Sequence, residues 1–146
     1  MYIVSACLCG VNCKYSGKNN MNEDCVELLK CNKALLVCPE QLGGLTTPRK
    51  PAEIVKDGES IKVINKDKED VTKEFIKGAK EVVEIAKKSN ITKAILKEGS
   101  PSCGCNLIYD GRFSGKKIKG EGLTCKMLRE AGIEVISDEE YSIKVK

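Results

Sequence analysis

Apolar residues in this chain gather into short runs, and between the runs they recur at helical spacing. Residues 2–6 (YIVSA), 34–37 (ALLV), 93–97 (KAILK) and 133–136 (IEVI) are such runs, bounded by turn residues, and read as buried strands. Asn22 is placed to cap a helix over 23–32, with Val26 and Leu29 on one face. Asp70 or Thr72 is placed to cap the longest helix, which sets Phe75, Ala79, Val82, Val83 and Ala86 on one face and lysines on the other. A last helix over 123–131 closes at Gly132. PAEIV and SIKVI flank the turn signal Lys56-Asp57-Gly58 and read as a hairpin covering one edge. The stretches 41–50 and 98–122 read as loop. Strand alternating with helix predicts a single α/β domain over 1–146: a small Rossmann-like parallel sheet with helices on both faces and an inserted β-hairpin.

Composition narrows the chemistry. The chain has nine cysteines and no histidine. Without histidine, Ser-His and Cys-His nucleophile pairs and His-ligated zinc or iron are excluded, so a metal must rest on thiolate or carboxylate. No secretory signal or long apolar span is present, and nine thiols then point to a reducing compartment, read as the cytoplasm, with no membrane contact. No C-x-x-C spacing occurs, which disfavours zinc ribbons and thioredoxin-like motifs. The net charge of +4 suits an anionic small ligand better than nucleic acid, and two Phe, four Tyr and no Trp make a poor base-stacking surface for single strands.

Cys7, Cys38 and Cys103 each follow an apolar run that ends in a sharp turn. If those runs neighbour one another in one parallel sheet, their carboxyl ends converge and the three thiols meet, which suggests a three-thiolate metal site. Cys9 lies close enough to Cys7 to rival it as the first ligand, whereas Cys13, Cys25, Cys31, Cys105 and Cys125 read as packing thiols.

Six ordered blocks, SACLCG, VCPEQLGGL, PRKPAEI, SPSCG, YDGRFSGK and GEGLT, resemble the signature of the thiouracil desulfidase family over nearly the whole chain. The resemblance implies a 4Fe-4S cluster held by Cys7, Cys38 and Cys103 with one open iron. It further implies non-redox removal of sulfur from thiouracil-type bases. An open iron would draw the thiocarbonyl sulfur, water would add at its carbon, and sulfide would leave on the iron.

With histidine absent, Glu40 beside Cys38 is the first choice for proton transfer, its carboxyl desolvated at the sheet edge, and Ser100 could hold the attacking water. Arg49 is a candidate clamp for a phosphate or base oxygen, and Gly122 and Thr124 start a helix that could bind an anion. Ser5 and Ser102, in the matched cysteine blocks, complete the expected substrate contacts. The expected substrate is a thiolated pyrimidine base or a nucleotide such as 4-thiouridine monophosphate, favoured over thiolated tRNA because no RNA-binding appendage is present. A non-catalytic iron-sulfur, zinc-binding or sulfide-carrier module is the alternative, and a thiol redox protein comes third. Oligomeric state is left open.

Overall fold

The computed structural model describes residues 1–146, the side chain of Asp57 apart. In chain order its elements are β1 (Tyr2–Ser5), α1 (Glu23–Lys30), β2 (Ala34–Val37), α2 (Pro39–Leu42), β3 (Ala52–Asp57), β4 (Ser60–Asn65), α3 (Thr72–Lys88), β5 (Lys93–Leu96), β6 (Leu107–Tyr109), β7 (Lys117–Lys119), α4 (Leu123–Glu130), β8 (Glu134–Ser137) and α5 (Asp138–Lys144). A 3-10 turn over Ala6–Cys9 follows β1.

The four apolar runs form one parallel sheet in the order β2-β1-β5-β8. Alternate residues of each strand point to opposite faces, and both faces are covered. On one, Ile3, Val37, Ala94, Leu96 and Val135 pack with Val82, Val83 and Ala86 of α3 and Cys125 and Leu128 of α4. On the other, Val4 and Ile95 pack with Cys25 and Leu28 of α1 and Tyr141 of α5. Each large aliphatic side chain buried here contributes about 1.5–3 kcal/mol. The chain leaves β1 to one side for β2 and later returns on the other side for β5, so a topological switch point lies between β1 and β5.

The strands fall where their apolar runs predict, and other details differ. The buried face of α1 is Cys25 and Leu28; Leu29 is exposed, because thiols pack as small hydrophobes and rotate the apolar stripe. Neither expected cap of α3 holds its N-terminus as an N-cap: Val71 occupies that position, while Asp70 accepts from the Thr72 backbone N–H at 2.9 Å. The β3–β4 hairpin turns at Gly58–Glu59, with Gly58 at φ 64 in the first loop position, where type II′ turns favour glycine. It forms its own sheet instead of extending the main one, and packs with a second hairpin, β6–β7, around Ile54, Val63, Phe75 and Ile108. That second hairpin corrects the loop reading of 98–122, and α2 runs into 41–50, also read as loop, because three-residue strands and a single helical turn show too few repeats to set a period; α5 lies where no element is predicted.

Two glycines weld α2 to α3. A Cβ on Gly78 would collide with the Pro39 carbonyl oxygen, and one on Gly43 with the Glu74 carbonyl oxygen. Backbone thus lies on backbone, which sets the height of Cys38 and Glu40 at the sheet edge.

Candidate metal centre

The carboxyl ends of β1, β2 and β5 open into a cavity of about 470 Å³. This is the crevice in which open α/β sheets bind ligands, outside the strand ends at the switch point. Cys7, Cys38 and Cys103 all line it, each delivered by a different strand. Among the described residues no three Cys, Asp or Glu side chains are grouped closely enough to hold a single metal ion.

A fourth thiol, Cys13, lines the same cavity although it is only 2% exposed. Its hydrogen bonds to Cys38 and Cys7 push its own thiol well up. The same bonds pull its neighbours down. Cys7 is lowered by Cys13 against the cost of burial, helped by Asn20, which donates Nδ2 to the Cys7 Sγ at 3.5 Å. Cys38 falls to about 7, through Cys13 first, with burial opposing and the Gln41 backbone N–H in α2 assisting. Cys103 goes the other way, because full burial outweighs the Ser5 hydroxyl that donates to its Sγ at 3.3 Å. Cys9, the rival to Cys7, does not line the cavity; its thiol donates to the Cys25 carbonyl at 3.4 Å behind the turn. A 3-10 turn rotates successive side chains around its axis, so residues two apart cannot face the same way.

Glu40 and Arg49 line the cavity as an ion pair. Glu40 is largely buried at the sheet edge, as expected, and carries a partner that its place in the sequence does not show: Oε2 accepts from the Arg49 Nε at 2.6 Å, while Oε1 takes no hydrogen bond among the described residues. A guanidinium carries five N–H donors. In Arg49, Nε and Nη2 both lie 2.6 Å from Glu40 Oε2, Nη2 also donates to the Cys13 carbonyl (2.8 Å), and Nη1 donates to the Thr46 carbonyl (3.2 Å) and the Thr47 hydroxyl (2.8 Å). As a result, Arg49 braces the Cys13 loop against α2 and keeps no donor for a ligand.

The loop carrying Cys103 is built around polar side chains. Ser100 lines the cavity, and its Oγ accepts from the backbone N–H of Ser102 and Cys103, both at 3.1 Å, leaving its own proton free. Glu98 is buried at the end of β5; its Oε1 accepts from the backbone N–H of Gly99, Cys105, Asn106 and Leu107, and its Oε2 from Asn106 Nδ2. Burial pushes the Glu98 carboxyl up, but the hydrogen bonds from Asn106, Leu107 and Cys105 prevail and hold it below the usual range.

Three expected substrate contacts are corrected. Ser102, Gly122 and Thr124 lie outside the cavity. Ser102 and Thr124 share a buried 2.7 Å hydrogen bond, and a Cβ on Gly122 would strike the Ser102 carbonyl. The first N–H groups of α4 donate to the carbonyls of Pro101 and Ser102, so the helix start that could have taken an anion holds the Cys103 loop instead. Ser5 does reach the cavity, but its hydroxyl joins Cys103 to the Lys97 backbone N–H.

Several wall residues carry no mark in the apolar pattern: Asn20, Lys117, Tyr109, Phe113 and Cys13 itself. Glu98 had a readable signal, because it too directly follows a strand at the edge where the cysteines were sought.

The chain matches the model of the 2-thiouracil desulfurase family over residues 2–140. It is 45% identical over 148 residues to the uncharacterized protein YbbK of Bacillus subtilis (strain 168), covering 97% of this chain and 98% of YbbK. Among solved structures it is similar to the 4Fe-4S-dependent thiouracil desulfidase TudS, with a TM-score of 0.87 and 40% identity over 99% of this chain and 98% of that one.

Proposed function

Because the chain belongs to the 2-thiouracil desulfurase family, we propose that it is a desulfidase that holds a 4Fe-4S cluster through Cys7, Cys38 and Cys103 and hydrolyses thiolated pyrimidines. The observation that carries this reading is the meeting of those three strand-end thiols in the switch-point cavity, beside the Glu40–Arg49 pair. The donor set fits: soft thiolates suit an iron-sulfur cluster, and two of the thiols are lowered toward the ligating form. Three ligands also leave one iron without a protein donor.

When bound, the cluster supplies a thiophilic Lewis acid for the thiocarbonyl sulfur. The chain's own groups manage the water. Glu40 Oε1, free beside the ion pair, accepts the proton of the attacking water, and Arg49 keeps the carboxylate aimed. The free Ser100 proton donates to the oxygen as charge develops there. Water oxygen replaces sulfur at the carbon and sulfide is released, with no net change of oxidation state.

The cavity volume suits a small molecule, and Lys14, Lys66, Lys97 and Lys117 on its wall favour an anionic one, such as 4-thiouridine monophosphate, over a tRNA. Nine free thiols fit the reducing cytoplasm.

The test is anaerobic reconstitution followed by sulfide release from 2-thiouracil, 4-thiouracil and 4-thiouridine monophosphate. A brown protein with about four irons per chain and catalytic sulfide release is the expected result, lost in Cys7→Ala, Cys38→Ala and Cys103→Ala. Zinc alone, or a full cluster with no sulfide release, would mean a carrier module instead.

A further inference from the structure

We propose that Phe113 is the stacking platform for the pyrimidine ring, held ready by the buried carboxylate of Glu53; this rests on the desulfidase reading above. Aromatic residues are scarce, with two Phe and four Tyr, yet Tyr15, Tyr109 and Phe113 all line the cavity. The other three are internal or pack together: Phe75 is in the core, and Tyr2 meets Tyr141 edge to face at 5.9 Å.

The three cavity rings differ in what covers them. Lys14 sits over the Tyr15 ring at 5.8 Å and Lys117 over the Tyr109 ring at 5.5 Å. Among the described residues no ring or cation covers Phe113, which is 38% exposed. An exposed phenyl ring with no aromatic or cationic partner at the wall of a cavity is a surface a planar heterocycle covers favourably.

The backbone there is held in place at a cost. Phe113 has φ 55, a left-handed conformation that an ordinary loop gives to Gly or Asn. Glu53 on β3 is buried, and its Oε1 accepts from the backbone N–H of Gly111 (2.9 Å) and of Phe113 (3.2 Å). Asp110 and Ser114 close the same loop through a 2.8 Å hydrogen bond, and Gly111 lies so close to the Ile54 carbonyl that a Cβ would sit 2.6 Å from it. The backbone that carries the Phe113 ring is therefore held in one position. Preorganisation of that kind favours binding, because little freedom remains to be lost.

The experiment compares Phe113→Leu, which keeps apolar bulk but removes the π face, with the wild-type cluster-loaded chain. Expected are unchanged iron content, a KM for 4-thiouracil raised roughly tenfold, and a nearly unchanged kcat. Wild type should also be inhibited better by uracil than by 5,6-dihydrouracil, whose saturated ring keeps the polar edges but is not planar, and Phe113→Leu should lose that preference. Unchanged KM and preference with full turnover would overturn the role of Phe113 while leaving the desulfidase reading intact. If wild type releases no sulfide from any thiolated pyrimidine, that reading fails, and a binding readout still decides the inference. The chain contains no Trp, so the Phe113→Trp protein has one indole at this position. Quenching of its emission by uracil, weaker with dihydrouracil, supports stacking; no quenching by either overturns it.

Discussion

A single carboxylate can organise more of a site than its ligands do. Glu98 gathers the backbone of the Cys103 loop onto one oxygen, Oε1, and its depressed carboxyl links that loop to pH. A group held below its unfolded value contributes stability that is present above the unfolded pKa, about 4.5 here, and is lost as pH falls through the folded one. Glu98→Gln should therefore cost about 1–3 kcal/mol at pH 7 in denaturant titrations of the metal-free chain, and the gap between the two proteins should close below pH 4.5. A gap that stays constant to pH 3 would sink this role. At Glu40 the prediction concerns rate: Glu40→Gln should keep its iron and lose roughly a hundredfold in turnover, read as sulfide release at matched cluster content. Residue type made Glu40 legible, since with histidine absent few bases remain. Its Arg49 partner was not legible in that role, because a side-chain ion pair nine residues apart depends on how the intervening loop folds back.

At the level of elements, α2 and α3 meet through Gly43 and Gly78. An alanine in mid-helix is ordinarily better than glycine by about 1 kcal/mol, so Gly78→Ala should stabilise α3 on propensity alone. The collision with the Pro39 carbonyl decides otherwise, since overpacking costs about 1–3 kcal/mol and the obstacle here is backbone. A lower melting temperature and reduced iron content are expected, as Cys38 shifts with α2; a stabilised variant with full iron would refute the weld. The capping box of α5, Ser137 with Glu140, offers a contrast, because neither residue lines the cavity. Ser137→Ala should cost about 1 kcal/mol in thermal unfolding and leave iron content unchanged. That S-x-x-E signal stands in the chain although the apolar pattern passes over it, whereas the four strands were legible. The three-residue strands β6 and β7 were not, because two alternations are too few to establish a period.

Across the whole molecule, a doubly wound sheet brings residues 7, 38 and 103 to one crevice, and a switch point between β1 and β5 makes that crevice. The choice between Cys7 and Cys9 belongs to this scale. Cys9→Ser should retain the reconstituted cluster and Cys7→Ser should lose it, measured as iron and labile sulfide per chain, because only Cys7 faces the cavity. Local pattern determined the strands, the strand-end thiols, the α/β class and the exclusion of histidine chemistry, since each depends on residue type and near-neighbour spacing. Tertiary structure alone decided that Cys13 joins the thiols, that Arg49 braces Glu40, that the start of α4 holds a loop in place of an anion, and that Phe113 shows a bare ring. Those outcomes turn on which way a side chain points after long excursions of the chain, and on which donors the backbone has already claimed.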